Sequence, residues 1–393
     1  MPWPEVTTMS ARCEFIALAN QPDANLSRLC QRFGISRTSA YKWLDRAAQA
    51  PASGESLGQA LADQSRRPHH SPTRTDPAVE AQVVQLRQQH PAWGGRKIAS
   101  RLRALGSAPV PAPSTVTSIL RRHDLLEPHP ARPHQAWQRF EHAAPNDLWQ
   151  MDFKGDFALT GAGRCYPLTV LDDHARFALC LQACGDQQTQ TVQQALTQVF
   201  RRYGLPHRIT ADNGSPWGVP HRSGPDEADT AYTQLGIWLL RLGIRLSHSR
   251  PHHPQTQGKD ERFHRTFKAE VLAYQQFRNL GEAQRSFDPW RDVYNLERPH
   301  EALDLAVPAS RYAPSRRAFP ETLPAIEYGP TDAVRQVQAD GTLSFAGHEC
   351  RIGKAFAGLP VALRATTTEG QWHVYFCQQR LTTVDLRCAA RTA

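Results

Sequence analysis

No apolar run long enough to cross a membrane, about eighteen residues, occurs in this 393-residue chain, and none of its eight cysteines forms a CxxC pair. The first absence excludes a spanning helix read from hydropathy. The second argues against a zinc ribbon or a disulfide framework and for reduced, mostly buried thiols. The opening MPWPEVTTMSARCEF lacks the basic-then-apolar form of a secretory leader, so a cytoplasmic protein is expected. At 40% hydrophobic and 21% charged the composition is globular, and the length exceeds one ordinary core, so several domains are expected.

The charge is unevenly spread. The net charge is +9, and counting Lys and Arg against Asp and Glu gives 18 − 11 = +7 for residues 1–144, 19 − 19 = 0 for 145–315 and 9 − 7 = +2 for 316–393. A basic excess favours a polyanionic partner, and here it precedes a neutral central region.

Within that neutral region three acidic residues stand in distinct settings. Asp152 lies among apolar residues in DLWQMDFKG, Asp212 closes a short strand in HRITADNGSPWG, and Glu261 opens a helix in QGKDERFHRTFKAEV. Taken singly, a strand-end Asp is ordinarily a turn residue and a Glu beside Arg a solvated pair. Asp152 is harder to dismiss, because a charge at an inward strand position is costly unless paired or bound to a metal. Three carboxylates from three elements suit two Mg²⁺ or Mn²⁺ ions, which can stabilise both oxygens of an in-line displacement on a phosphodiester.

The three segments resemble the integrase core shared by retroviral integrases and DDE insertion-sequence transposases. SHSRPHHPQTQGKDERFHRTFKAE is most similar to the insertion sequence four-eight-one group. The resemblance runs over residues 146–312 and implies a ribonuclease H-like fold with Asp152, Asp212 and Glu261 as the catalytic, metal-holding triad. It also implies that Arg265 and Lys268, one and two turns beyond Glu261, face DNA. Asn213, whose neighbour Gly214 permits a close phosphate approach, and His253 in the segment before the Glu261 helix are further candidates, with His252 and Gln255 beside it. Asp212 and Glu261 are 261 − 212 = 49 positions apart, wider than in the retroviral pattern, and residues 217–229 read as an inserted loop. Its Asp226, Glu227 and Asp229 read as loop charges, and Asp172 and Asp173 as a turn. The zinc-binding His and Cys pairs that precede the retroviral core are missing, so other modules must dock the DNA.

Two helical modules fit that need. Residues 1–49 read as a helix-turn-helix, with Gly34 in the turn, Ser36 capping the third helix, Arg37, Thr38, Ser39, Tyr41 and Lys42 available to DNA, and Trp43 and Leu44 in the core. After a linker over 50–76, residues 77–127 resemble the second helix-turn-helix found before such cores. Its candidate contacts are Ser114, Thr115, Thr117, Arg121 and Arg122, with Trp93 as a packing anchor. A linker over 128–145 leads to the core at 146–315, read as strands at 148–159, 166–171 and 177–183, then helix, strand, helix, strand, helix ending in the 258–274 segment. Residues 330–393 alternate in short runs and read as a small SH3-like β-barrel, with Arg335, Arg351, Lys354 and Arg364 toward phosphates.

The fold class expected is therefore multidomain: α helix-turn-helix modules, an α/β ribonuclease H-like core and a C-terminal β-barrel. The function expected is a DNA transposase that cuts at element ends and joins the 3′-hydroxyl to target DNA, with double-stranded DNA as partner and at least a dimer on paired ends. A catalytically silent DNA-binding regulator and a hydrolytic nuclease of the same fold are the alternatives.

Overall fold

The computed structural model describes residues 7–64, 74–126, 141–212, 215–222, 228–248 and 258–387. The chain divides into two compact units, Met1–Arg74 and Thr75–Ala393.

The first unit is helical: α1 (Thr8–Ala19), α2 (Leu26–Phe33), α3 (Arg37–Ser53) and α4 (Leu57–Ala60). Gly34, at φ 63°, ends α2, and Ser36 caps α3 by accepting a hydrogen bond from Ser39 N. Phe15, Ile16, Cys30, Ala40 and Leu61 form the core. Ordered structure runs past the expected boundary at residue 49, because Leu61 is fully buried and two arginines hold its segment: Arg12 donates to Leu61 O and Arg46 to Ala62 O. Trp43 is half-buried rather than central, with the Arg12 and Arg46 guanidiniums 4.0 and 5.0 Å from its ring centre.

The second unit opens with α5 (Pro77–Gln89), α6 (Gly95–Ala104) and α7 (Pro113–Arg122) around Val83, Ile98, Leu102, Val116, Ile119 and the fully buried Trp93. Next come β1 (Trp149–Phe153), β2 (Phe157–Ala158), β3 (Arg164–Asp172), β4 (Ala178–Cys184), α8 (Thr189–Tyr203), β5 (Arg208–Ala211), β6 (Val219–Arg222), β7 (Ala228–Ala231), α9 (Gln234–Arg241), β8 (Arg245–His248), α10 (Gly258–Phe267) and α11 (Leu280–Leu296). The main sheet runs β2-β3-β1-β5-β8, with β4 also on β3. β1 pairs antiparallel with β3 and parallel with β5, and β8 continues parallel to β5. Apolar strands backed by α8 and α9 on one face, and by α10 and α11 on the other, bury two clusters, one around Trp149, Phe200 and Leu239 and one around Phe263, Phe267 and Phe287.

Three expectations are corrected here. The strand read at 148–159 breaks at Gly155, whose φ of 83° an extended ladder does not accommodate. The stretch read as a loop over 217–229 contributes a hairpin of β6 and β7, which takes the first residues of the helix read from 230, so that α9 starts at Gln234 with Thr233 as its cap. The 258–274 helix is regular only to Phe267 and continues as a π-helical turn over Lys268–Leu272.

The α5–α7 module is docked on the core. Arg101 pairs with Glu297, Ser100 Oγ donates to Leu305 O at 3.3 Å, and Val293 of α11 packs on the module's apolar cluster. At the other end come β9 (Ala333–Gln336), β10 (Thr342–Phe345), β11 (His348–Arg351), β12 (Pro360–Ala365), β13 (Gln371–Phe376) and β14 (Gln379–Asp385). The described ladders form an open antiparallel sheet β14-β13-β12-β9 and a separate β10-β11 hairpin, not a closed ring. Their shared core includes Leu343, Phe356, Val361 and Phe376 and takes in Ile237 and Leu240 of α9, so this domain sits on the back of the core.

Gly95 is where α6 meets α7 most closely. A Cβ there would lie 2.4 Å from Thr117 Oγ1 and 2.5 Å from Pro113 O, and the second atom is backbone. Gly95→Ala is expected to destabilise the module by about 1–3 kcal/mol. A lower midpoint in thermal or urea unfolding is the check, and an unchanged midpoint would contradict the contact.

Candidate active site and metal centre

The site grows from β1. Trp149, Gln150, Met151 and Phe153 are buried, and Asp152 alone in the strand keeps partial exposure. Met151 pairs in parallel register with Ala211, so Asp152 and Asp212 are the next positions along two neighbouring strands. Asp212 is exposed just beyond the end of β5. α10 crosses β1 and carries Glu261 on its exposed side, where Glu261, Arg265 and Lys268 succeed one another at one-turn spacing.

The charges of Asp212 and Glu261 both reach Asp152. Burial is the largest influence on the Asp152 carboxyl, and together with the negative charges of Asp212 and Glu261 it pushes the group up to about 7, against a hydrogen bond from Phe153 N and the Lys154 ammonium. Lys154 is itself lowered by burial and by Lys268, which sets the Lys268 ammonium next to it on the rim. The result is a group of repelling carboxylates with cations beside it. Such repulsion is relieved by a hard divalent cation, so these oxygen donors fit Mg²⁺ or Mn²⁺.

The inward face of α10 holds a second set that the sequence reading passed over. Asp260 is fully buried, and its donor atoms, those of Asp152 and those of His264 lie within 4.8 Å of one another. Thr169, directly across β3 from Asp152, joins them: its Oγ1 is 2.9 Å from Asp152 O, 3.2 Å from Asp260 Oδ1 and 2.8 Å from His264 Nε2. Burial drives the Asp260 carboxyl well above the carboxylate range and lowers His264 to about 3. His264 is therefore neutral at pH 7, and with Asp260, whose charged form burial disfavours, it makes a hydrogen-bonded footing for the helix. The signal was in KDERFHRTF: positions 260, 263 and 267 are buried with 264 half-buried on the same face, and a carboxyl in such a stripe needs a partner.

Asp173 completes the footing. Lys259 Nζ lies 2.5 Å from Asp173 Oδ1, Gln150 Nε2 donates to the same oxygen at 2.9 Å, and Gln150 Oε1 accepts from Asp260 N at 3.2 Å. Asp172 takes backbone donors from Asn146 and Ala175, both at 2.7 Å.

Residues 142–254 and 242–308 match the integrase core domain, residues 332–392 match the IS481 family transposase C-terminal domain, and residues 39–120 match a homeodomain-like domain. These matches show an integrase core over the central region and a segment similar to the C-terminal domain of IS481 family transposases beyond it. The "Insertion element IS407 uncharacterized 31.7 kDa protein" of Burkholderia multivorans is 30% identical over 175 residues, 44% of this chain and 58% of that protein. The "Insertion element IS476 uncharacterized 39.2 kDa protein" of Xanthomonas euvesicatoria is 27% identical over 245 residues, 61% of this chain and 65% of that one. The chain thus spans less than two thirds of the length of either relative. Among solved structures, a chain of the simian T-cell lymphotropic virus intasome covers 77% of this chain and 99% of its own length at 13% identity and a TM-score of 0.35. The HTLV-2 integrase catalytic core domain in complex with magnesium covers 44% of this chain and 99% of its own at 11% identity and 0.32.

Around the integrase core, the expected DNA-facing residues fall into three groups. Arg37, Thr38, Tyr41 and Lys42 are exposed along α3, and Ser114, Arg121, Arg265 and Lys268 are exposed on theirs, with Thr115 half-buried. Others are engaged within the protein: Ser39 Oγ bonds Ser36 Oγ at 3.0 Å, Thr117 Oγ1 donates to Pro113 O at 2.8 Å, and Arg122 pairs with Glu80 at 2.9 Å. In the C-terminal domain Arg364 is bidentate on Asp332 and Arg335 lies over Phe345. Asn213, Gly214, Asp226, Glu227, His252, His253 and Gln255 lie outside the described residues.

A pH dependence follows for the carboxylate site. The Asp152 carboxyl is protonated below about 7, so a cation must displace a proton there. Mg²⁺ affinity is expected to fall by up to about tenfold per pH unit below that value. Calorimetry in buffers of different ionisation heat should detect the released proton, and pH-independent affinity from about pH 5 to 8 would contradict it. The sign for stability is opposite to that of a salt-bridged acid: the raised folded value favours the metal-free fold at low pH, and this is lost as pH rises through 7. Metal-free Asp152→Asn should therefore melt above the parent at pH 8.

Proposed function

We propose that this protein is a DNA transposase in which Asp152, Asp212 and Glu261 hold two divalent cations and carry out strand cleavage and strand transfer at the ends of an insertion element. The observation that supports this most is the convergence of the negative charges of Asp212 and Glu261 on Asp152 at the open end of β1 and β5, with Lys154 and Lys268 beside it. When bound, Mg²⁺ or Mn²⁺ would supply charge stabilisation to both the entering and the leaving oxygen of an in-line displacement.

The chain's own residues do the rest. Asp152 and Asp212, fixed on adjacent strands, set the spacing of the ligands, and Glu261 approaches on α10. Arg265, Lys268 and Lys154 hold phosphates in line, which is the larger share of catalysis in a reaction with little covalent chemistry for the protein. The nucleophile is water in the first step and the freed 3′-hydroxyl in the second, so no side chain forms a covalent intermediate. The exposed faces of α3 and α7 read the element's terminal repeats, and the C-terminal β-domain adds backbone contacts. Bringing two ends together requires at least two copies of the chain.

Purified protein, Mg²⁺, a labelled element end and a plasmid target separate this reading from its rivals: joined product supports a transposase, hydrolysis alone a nuclease, binding alone a regulator. Asp152→Asn should abolish cleavage, a loss of about 10³-fold or more, while binding of the end is retained. Strand transfer by that variant at the parent rate would overturn the triad.

A further inference from the structure

The carboxylates occupy one end of the parallel strands, and the other end is basic. Arg208 opens β5 and Arg245 opens β8, and the two are register partners on adjacent strands. Strands stand about 4.8 Å apart, so two guanidiniums rise side by side where like charges repel. Among the described residues neither guanidinium has a hydrogen bond, an ion pair or a ring contact, although other arginines nearby are satisfied: Arg176 pairs with Glu141 and Arg317 donates to Leu242 O and Gly243 O. Both arginines line a cleft of about 530 Å³, together with His142, Asp147, His207, Arg317 and Gln378.

The cleft is built rather than incidental. His207 N donates to Asn146 O at 2.9 Å and its carbonyl accepts from Arg245 N at 3.1 Å, which ties the turn before β5 to the start of β8. Arg317 clamps the floor, and a Cβ on Gly243 would come within 2.9 Å of its Nη2. Gln378, beside the β13–β14 turn, brings the C-terminal domain to the rim. Asp147 is the one carboxylate in the lining, and its Oδ2 already accepts from Ala144 N at 3.2 Å. Three arginines and two histidines against one aspartate make an anion-attracting surface.

We infer that this cleft binds a stretch of DNA backbone separate from the strand at the carboxylates, with Arg208 and Arg245 each taking a phosphate. The inference rests on the protein acting on DNA, as proposed above. Four strand residues at about 3.3 Å each put Arg208 roughly 13 Å from Asp212, at the opposite edge of the sheet. One straight duplex lying across the carboxylates does not reach round that edge, so the cleft serves a second segment. Side-by-side guanidiniums match two phosphate charges, which explains why a repelling pair is set here with no ion pair to either arginine among the described residues.

The test uses the full chain, a labelled duplex of unrelated sequence and anisotropy titrations over a range of salt. Arg208→Gln/Arg245→Gln should bind about 30-fold more weakly at 0.15 M salt and lower the log–log salt slope by about 2, the count of lost phosphate contacts. Arg208→Lys/Arg245→Lys should restore the slope, since the charge returns while the fork geometry does not. Both variants should melt at or above the parent temperature, because no internal partner is removed. A parent that binds DNA and a Gln variant with the same slope would overturn this inference and leave the proposed function standing. A parent with no affinity for DNA would overturn both. A Gln variant whose loss is matched by loss of self-association in the absence of DNA would also overturn it, assigning the cleft to an acidic surface of a second copy.

Discussion

The parallel pairing of β1 with β5 is the constraint on which the site depends. It places Asp152 one position past Met151 and Asp212 one position past Ala211, with no loop geometry between them. Two carboxylates side by side repel, and a flexible chain would relax by separating them. Here Trp149 and Ile209, register partners in the same ladder and both fully buried, hold the strands together against that repulsion. Burial first, and then the charges of Asp212 and Glu261, raise the Asp152 carboxyl to about 7. An unfavourable charge arrangement maintained by a well-packed ladder suits the proposed cation site, since the packing bears the repulsion in advance and the ligands need not be gathered when a metal binds.

α10 solves a related problem. A helix that offers a glutamate to this site must lie across the sheet without its own charges collapsing inward. Its inward stripe carries Phe263 and Phe267 for apolar contact, and Asp260 and His264 for hydrogen bonding to Thr169. Lys259 on Asp173 pins the first turn. With the inward face specified so completely, the helix cannot rotate, and Glu261, Arg265 and Lys268 are left on the outer face.

Much of this could be read in the sequence. An Asp inside WQMDF is conspicuous because the surrounding residues are those of a buried strand, and the order of strands and helices follows from local periodicity. The helix-turn-helix pattern was legible for the same reason, since Gly34 and Ser36 act within a few residues of themselves. What escaped was non-local. That Asp173 would pair with Lys259, 86 positions on, or that Thr169 would face Asp152, depends on ladder register. Residues 219–222 and 228–231 carry no clean alternation, and only their pairing makes them strands. The helix-turn-helix boundary at residue 49 fell short because Leu61 is held by Arg12 from the far end of the unit, a contact that composition cannot announce.

A net charge of zero over residues 145–315 conceals a strongly polarised domain. The carboxylates cluster at the C-terminal ends of β1 and β5, and arginines cluster at the N-terminal ends of β5 and β8. Counting by segment averages the two away, yet each end attracts a different charge: cations at one, phosphates at the other. Spatial separation of opposite charges within a neutral domain costs the ion pairs that could have formed between them, and a folded protein selected for stability alone would have little reason to leave Arg208 beside Arg245. The polarity is more simply understood as set by what the domain holds from outside. A polyanion needs basic surface to bind and acidic residues to be cut, and a sheet with two ends provides both without letting one neutralise the other.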